Sequence, residues 1–331
     1  QGSGFSCSTS FRPTRVRTAS ACDSDKPSAW LSSCRSKVAG AAVAALAGVA
    51  VAVPRATMAR TAPVIAAVHG YAAGGGGFGL VCAADLVVVL VKSFHTDAAM
   101  RGALDLIGPD TLVLSLQNGL GHEDVLADIV GRERVLAGKT YVGGVMRNPG
   151  HIESGVAGKA TYIGELDGRI TSRVTAIAET FNAAGLATTV SDNIVGTMWD
   201  KLLVNVATGA LSATTGLTYG QLYDEPHLKA AALAAVAEAI AVAHAAGVTL
   251  STTDPERPWN LAGEGLSSRF KTSMLQSLEK GSITEIDFIN GAVVRRGQRY
   301  GVPTPVNATL VACIKGIERA MTDRQHKETT A

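Results

Sequence analysis

One stretch of the chain places several chemically reactive side chains along a single face of a predicted helix. Across residues 194–213, apolar side chains recur at the i, i+3, i+4 and i+7 spacing of an amphipathic helix. A second stripe at helical spacing is polar and consists of Lys201, Asn205, Thr208 and Ser212. A polar stripe is usually a solvated face, but this one has a single ammonium group among small hydrogen-bonding side chains. We therefore interpret it as the wall of a functional site.

Two further candidate positions follow predicted strands. Residues 85–91 form a continuous β-branched run, typical of a strand buried on both faces of a parallel sheet, and Lys92 comes directly after it. A second such strand, residues 111–116, leads into the turn 117–121, which contains Asn118 and two glycines. Ligands of open α/β sheets bind at the carboxyl ends of the strands, so both side chains are expected beside a ligand. The alternative for Lys92 is an exposed lysine at a strand end.

The elements that position these residues fall into two groups. The first half alternates strands with helices, which predicts an α/β domain with a mostly parallel sheet. Besides the two strands above, it contains predicted helices at 96–107, 122–129 and 169–184, strands at 135–144 and 187–190, and a hairpin formed by 150–155 and 160–164. From about residue 191 the strand pattern is absent, and helices are predicted at 227–246, 267–279, 284–300 and 307–323. We expect the functional cleft where the two halves meet.

The composition excludes several classes of protein. The net charge is +2 and no basic patch interleaved with aromatic residues occurs, which argues against nucleic-acid binding. The longest uncharged apolar run, residues 38–53, is short for a membrane span. The five cysteines are scattered, so neither a zinc site nor a disulfide framework is indicated. The sequence predicts a cytoplasmic protein without a metal site.

The first 80 residues differ from the rest of the chain. They contain eight Lys or Arg against only Asp23 and Asp25, and Ser, Ala and Gly predominate. Three explanations are open: a targeting segment, a low-complexity extension, or translation from a wrong reading frame.

The chain from about Asp85 to Met321 resembles the ketopantoate reductase (2-dehydropantoate 2-reductase) family. The resemblance rests on five blocks in the same order and at the same spacing: residues 91–92, 117–121, 199–205, 284–291 and 301–307. It implies an oxidoreductase that reduces ketopantoate, a small 2-keto acid, to pantoate with NADPH in the synthesis of coenzyme A. Alternatives are a reductase of another small 2-keto acid, a pseudoenzyme that keeps only the helical half, and a dehydrogenase of the glycerol-3-phosphate or opine type.

The resemblance also implies a role for each candidate residue. Lys201 is the proton donor, and Glu285 lies across the cleft from it and contacts the cofactor. The implied substrate contacts are Asn118, Asn205 and Ser273, and the implied cofactor contacts are Lys92, Asn118, Gly144 and Glu285. Taken alone, Glu285 could be a carboxylate at a helix N-terminus and Ser273 a surface hydroxyl. Gly209 and Tyr219 stand where the family commonly has asparagines, which leaves the substrate contacts less certain than the reaction.

The resemblance implies a Rossmann-like domain at 85–190 and an all-helical domain at 191–323, similar to the C-terminal domain of 6-phosphogluconate dehydrogenase. Residues 1–84 stand in place of the first Rossmann half. Family members begin with a strand and a Gly-x-Gly-x-x-Gly turn that binds the pyrophosphate. Here residues 2–7 lack the third glycine, and the glycines at 74–79 precede a strand and do not open a helix. We therefore favour a frame-shifted or misassigned N-terminal segment, and a homodimer formed through helix 227–246 is also open.

Overall fold

The computed structural model describes residues 65–68, 84–148, 151–155 and 158–330. The glycine-rich stretch 74–79 and most of the unusual N-terminal segment lie outside these ranges. One strand, β1 (Ile65–Val68), falls within that segment, where the sequence pattern had predicted none. It pairs in parallel with the strand that follows, so the sheet extends further towards the N-terminus than expected.

A six-stranded sheet forms the first half of the molecule. Its further strands are β2 (Ala84–Val89), β3 (Ile107–Ser115), β4 (Val135–Thr140), β7 (Thr161–Glu165) and β8 (Thr188–Val190), in the order β1-β2-β3-β4-β7-β8. The first four are parallel, β7 is antiparallel to β4, and β8 is parallel to β7. Alternate residues of β2 pack into separate apolar clusters on the two faces, Leu86 on one and Val87 on the other. The predicted doubly buried parallel strand is therefore confirmed.

The predicted hairpin was wrong. Strand β6 (His151–Gly155) pairs with β5 (Gly143–Asn148) in a separate two-stranded sheet, while β7 continues the main sheet beside β4. Thr161 and Ile163 of β7 are fully buried, and a surface hairpin could not bury them. Burial in the main sheet therefore determines where this segment pairs, although the other strand is distant in sequence.

Two of the three helices of the first half are shorter than their sequence patterns indicate, and the second is one residue longer than predicted. They are α1 (Thr96–Arg101), α2 (His122–Val130) and α3 (Ser172–Ala183). The predicted helix 96–107 is too long, because Leu104–Leu106 forms a 3-10 turn and β3 already begins at Ile107. The β3 strand includes Pro109, which the end of a strand tolerates although proline cannot donate to the ladder.

The second half is helical, and in its described residues, 191–330, no strand occurs. The helices are α4 (Ile194–Thr215), α5 (Tyr219–Tyr223), α6 (Pro226–Ala245), α7 (Glu256–Gly263), α8 (Ser273–Glu279), α9 (Asn290–Tyr300) and α10 (Pro305–Thr330). Helix α4 is central: it packs against α6, α7, α8 and α10 and also contacts β4 and β7. The predicted combination of an α/β domain and an all-helical domain is confirmed.

The polar stripe of α4 has two environments. Its apolar stripe is buried as predicted, with Trp199 and Leu203 almost inaccessible. Thr208 and Ser212 are also buried: the Thr208 hydroxyl lies 3.2 Å from the Tyr219 hydroxyl, and Ser212 donates to a main-chain carbonyl. Both hydroxyls therefore find hydrogen-bond partners inside the helical domain, and only the Lys201 end of the stripe reaches the cleft.

Helix α6 is long and apolar enough to cross a membrane by length and composition alone. One of its faces, which includes Ala235, Val236 and Ala239, is fully buried in the core of the helical domain. The core helix of a soluble domain has the same composition, so this feature is weak evidence for a membrane span.

Candidate active site

A cleft lies where the carboxyl ends of the parallel strands meet the helical domain, as predicted. Its volume is about 350 Å³, and the residues that line it are Leu90, Val91, Lys92, Leu116, Gln117, Asn118, Thr140, Tyr141, Val142, Lys201 and Glu285. Four of the predicted site residues, Lys92, Asn118, Lys201 and Glu285, come together here from positions almost 200 residues apart in sequence. The cleft thus combines two ammonium groups, a carboxylate and an amide.

Lys201 is held at the junction of α4 and the sheet. Its Nζ donates a hydrogen bond of 2.6 Å to the carbonyl oxygen of Thr140, the last residue of β4, and lies 5.5 Å from the centre of the Tyr141 ring. Burial, together with the positive charge of Lys139, lowers the pKa of Lys201 to about 8, while Glu285 acts in the opposite direction. Lys201 is therefore a cation that can give up its proton near neutral pH.

Glu285 connects the helical half to the end of β2. Its buried carboxylate accepts hydrogen bonds from the Ser93 N–H at 3.0 Å, from the Ser93 hydroxyl at 2.5 Å and from Lys92 Nζ at 3.2 Å. Glu285 was predicted within helix 284–300, but it precedes a 3-10 turn and α9 begins only at Asn290. Its carboxylate makes no capping hydrogen bond to its own 3-10 turn and instead contacts two residues of the other domain. The alternative of a carboxylate that only balances the N-terminus of its own helix therefore does not describe it.

The turn that contains Asn118 is fixed from both sides. The Asn118 carbonyl accepts a hydrogen bond from His122 Nε2 at 2.7 Å and lies 3.3 Å from the Ser93 hydroxyl, whose proton goes to Glu285. The Leu120 N–H donates to the carbonyl of Phe288 in the helical half at 2.9 Å. Gly119 has φ of +91°, a conformation that glycine adopts without strain. The backbone of this turn therefore holds the Asn118 side chain at the edge of the cleft.

The other three predicted residues lie around this centre and not in it. Asn205 is partly buried one turn after Lys201 on α4. Ser273 is exposed at the start of α8 and lines an adjoining cavity of about 530 Å³, which Lys92 also borders. Gly144 lies in β5, two residues after Val142 of the cleft wall. Lys92 itself is 48% exposed, so it is both an exposed strand-end lysine and an ion-pair partner of Glu285.

Sequence reasoning missed four residues of this site. Ser93 follows Lys92 directly, Thr140 ends β4 and Tyr141 follows it, so the rule that found Lys92 and Asn118 could have found them too. The fourth is Lys139, a lysine within a strand whose six residues are all buried. An ionisable residue inside a buried strand was the available signal.

Two family profiles match the chain. The one described as ketopantoate reductase PanE/ApbA matches residues 79–168, and the one described as ketopantoate reductase PanE/ApbA C terminal matches residues 193–318. Together they span both halves of the cleft.

Individual relatives agree with these profiles. The 2-dehydropantoate 2-reductase of Halobacterium salinarum is 37% identical over 240 residues, which is 72% of this chain and 78% of the relative. That of Pyrococcus horikoshii is 35% identical over 71% of this chain and 76% of the relative. The chain belongs to the ketopantoate reductase family.

Solved structures show the same fold. A PanE/ApbA family ketopantoate reductase from Ralstonia eutropha superposes with a TM-score of 0.66 at 36% identity, covering 73% of this chain and 78% of the other. A D-mandelate dehydrogenase in complex with NADH and anilino(oxo)acetate superposes with a TM-score of 0.68 at 25% identity, with the same coverage. Both comparisons include the α/β and the helical half.

Proposed function

We propose that this protein reduces 2-dehydropantoate to pantoate with NADPH. The observation that carries the proposal is Lys201, a partly buried ammonium group of lowered pKa that lines a cleft between two domains together with the paired Lys92 and Glu285. A ketone that accepts a hydride becomes an alkoxide and needs a proton from an acid that is protonated at neutral pH. Family membership supports the choice of substrate.

The described part of the chain fits a dinucleotide cofactor. Lys92 and Asn118 lie at the carboxyl edge of four parallel strands, the position where dinucleotides bind in sheets of this kind. Lys92 offers a cation, Asn118 an amide and Gly144 a backbone amide, and these are the groups we propose to hold the cofactor together with Glu285. When bound, the dinucleotide supplies the hydride. The choice of NADPH over NADH is a proposal, and the mandelate dehydrogenase above carries NADH.

The residues of the cleft have separate tasks in the proposed reaction. Lys201 polarises the C2 carbonyl of the substrate and then donates a proton from Nζ to the C2 oxygen. The hydrogen bond to the Thr140 carbonyl orients that Nζ. Asn205, one turn along the same helix, is proposed to bind a substrate hydroxyl, and Ser273 the substrate carboxylate. Burial of Lys201 serves the chemistry because an ammonium of lowered pKa releases its proton more readily.

Replacement of Lys201 tests the proposal. The wild-type protein should oxidise NADPH in the presence of 2-dehydropantoate, and kcat/KM should fall above pH 8, where Lys201 loses its proton. Lys201→Met should reduce kcat by about 10²–10⁴-fold, the usual contribution of a general acid. Lys201→Arg keeps the charge but is a much weaker acid, so it should also lose kcat while retaining NADPH affinity.

The comparison substrate is phenylglyoxylate, the 2-keto acid that corresponds to mandelate. It is chosen because a D-mandelate dehydrogenase has a similar structure. Faster turnover of phenylglyoxylate than of 2-dehydropantoate would replace the substrate in this proposal while leaving the reaction unchanged. No turnover of either substrate by protein that binds NADPH would contradict the proposed function.

We further propose that the protein acts in the cytoplasm as a homodimer. Helix α6 exposes a stripe of small residues, Ala230, Ala234, Ala237 and Ala241, that allows close approach of a second helix. Light scattering should give twice the mass of the chain, and Ala234→Glu should shift the protein towards the monomer. A monomeric wild-type protein at micromolar concentration would contradict the dimer.

A further inference from the structure

Lys139 is a buried lysine without an ionic partner in contact. It lies in β4 and is 8% exposed, and within the described residues its side chain makes no hydrogen bond or ion pair. Its Nζ lies 5.1 Å from the centre of the Tyr162 ring and 5.3 Å from the centre of the Tyr141 ring. Two aromatic faces thus provide its nearest electrostatic support, which compensates only part of the cost of burying a charge.

The same Tyr141 ring also contacts Lys201. Lys201 Nζ lies 5.5 Å from its centre, so two ammonium groups share one aromatic side chain at the wall of the cleft. Two like charges beside the same ring disfavour each other, and the group that can lose its proton does so more readily. Lys139 is one of the causes that lower the pKa of Lys201.

Other charged groups act on the pair from each neighbouring element. Asp200 on α4 is the acidic group that acts on Lys139, raising its pKa against the effect of burial, and it is itself held by the Ser251 N–H. Glu285 acts on Lys201 and is paired with Lys92. The two lysines therefore have different acidic neighbours. Burial lowers the pKa of Lys139 overall, and Asp200 opposes that shift, so Asp200 favours the charged form that acts on Lys201.

We propose that Lys139 is a positioning residue for the proton transfer: a second, buried cation that acts through Lys201 and favours release of the Lys201 proton to the substrate oxygen. Lys139 does not line the cleft, so it does not touch the substrate. The inference rests on the proposed function, in which Lys201 is the proton donor.

The test compares Lys139→Met, which keeps the apolar stem and removes the charge, with Lys139→Arg, which keeps the charge. The first readout is the pH dependence of trace acetylation of Lys201 by acetic anhydride, followed by mass spectrometry, which needs no turnover. Lys139→Met should raise the pKa of Lys201 by about half a unit to one unit, and Lys139→Arg should leave it near the wild-type value. The second readout is the high-pH limb of kcat/KM, which should move upwards by the same amount in Lys139→Met.

An unchanged acetylation profile in folded Lys139→Met would overturn the inference, because a purely structural lysine would not alter the proton affinity of Lys201. Lys139→Gln provides the same test if the Met variant does not fold. A wild-type chain without activity would overturn the proposed function alone, since the acetylation arm still measures the effect of Lys139 on Lys201. If Lys139→Met shifts the pH dependence of Lys201 acetylation but not that of kcat/KM, Lys139 alters the pKa of Lys201 without assisting catalysis, and the proposed positioning role is wrong.

Discussion

The pKa of Lys201 shows how the surroundings of one residue determine its chemistry. An ordinary lysine has a pKa of 10.5, but burial and the charge of Lys139 bring that of Lys201 to about 8. The same environment opposes folding, because below pH 8 the protein must bury a charged group. The surroundings of Lys201 therefore favour activity but reduce the stability of the folded protein.

Lys201→Met should stabilise the folded protein at pH 7. The unfolded chain binds the Lys201 proton more tightly than the folded chain, so the penalty is fully present below pH 8 and disappears as the pH rises towards 10.5. After allowance for the lost hydrogen bond to Thr140, we expect a gain of about 1–2 kcal/mol in the free energy of unfolding. Urea titrations of both proteins at pH 7 and at pH 10 measure it. A variant that is less stable than the wild type at pH 7 would contradict this reading of Lys201.

At the scale of elements, the sequence predicted the strands and helices whose own apolar pattern shows which of their residues are buried. The β-branched run of β2 and the apolar stripe of α4 are buried as their periodicity indicates. The pairing of β7 with β4 could not be predicted in this way, because it depends on which distant strand offers a buried edge. The end of α1 was predicted too late in the sequence, because the same residue types occur in 3-10 turns, at the start of strands and at the end of helices.

The turn before α2 provides a matched pair of glycines. Gly119 and Gly121 both have positive φ, +91° and +104°, but a Cβ at Gly119 would lie 2.4 Å from the Phe288 carbonyl, whereas at Gly121 it would meet no atom within 4 Å. Gly121→Ala should therefore lower the free energy of unfolding by about 1–2 kcal/mol through backbone strain alone. Gly119→Ala should cost at least about 1 kcal/mol more and also weaken NADPH binding, since it displaces the turn that holds Asn118.

Urea unfolding and fluorescence titration with NADPH measure the two effects. Equal losses for the two variants would mean that the contact between the turn and Phe288 contributes nothing to either stability or binding.

At the scale of the whole molecule, the candidate site could be predicted only as a set of separate residues. The sequence placed Lys92 and Asn118 at strand ends by physical argument, but Glu285 came from the family resemblance. Ser93 joins them, and its place directly after Lys92 was the sequence signal for it. What brings the set together is the packing of α4 against β4 and β7, which also places Leu120 and Ala137 in the apolar core of the helical half.

This shared core predicts that the two halves unfold in a single transition. Glu285→Ala should lower the free energy of that transition by about 1–3 kcal/mol, because the Ser93 N–H loses its acceptor and Lys92 its partner. Glu285→Gln, which retains an acceptor oxygen, should cost less. Chemical denaturation followed by tryptophan fluorescence, to which Trp199 in α4 contributes, and by circular dichroism tests both statements. Two separated transitions would contradict the single cooperative unit.

The contact of Ser93 with Glu285 also bears on how such proteins can be recombined. The hydroxyl and the carboxylate lie on opposite sides of the domain boundary, 192 residues apart in sequence. A chimera that joins the first half of one family member to the second half of another inherits the two partners from different parents. Chimeras whose first half has Ser or Thr at position 93 should retain this junction, and those with a larger apolar residue there should require a compensating change near position 285. The contact between positions 93 and 285 therefore limits which first and second halves of family members can be combined in one chain.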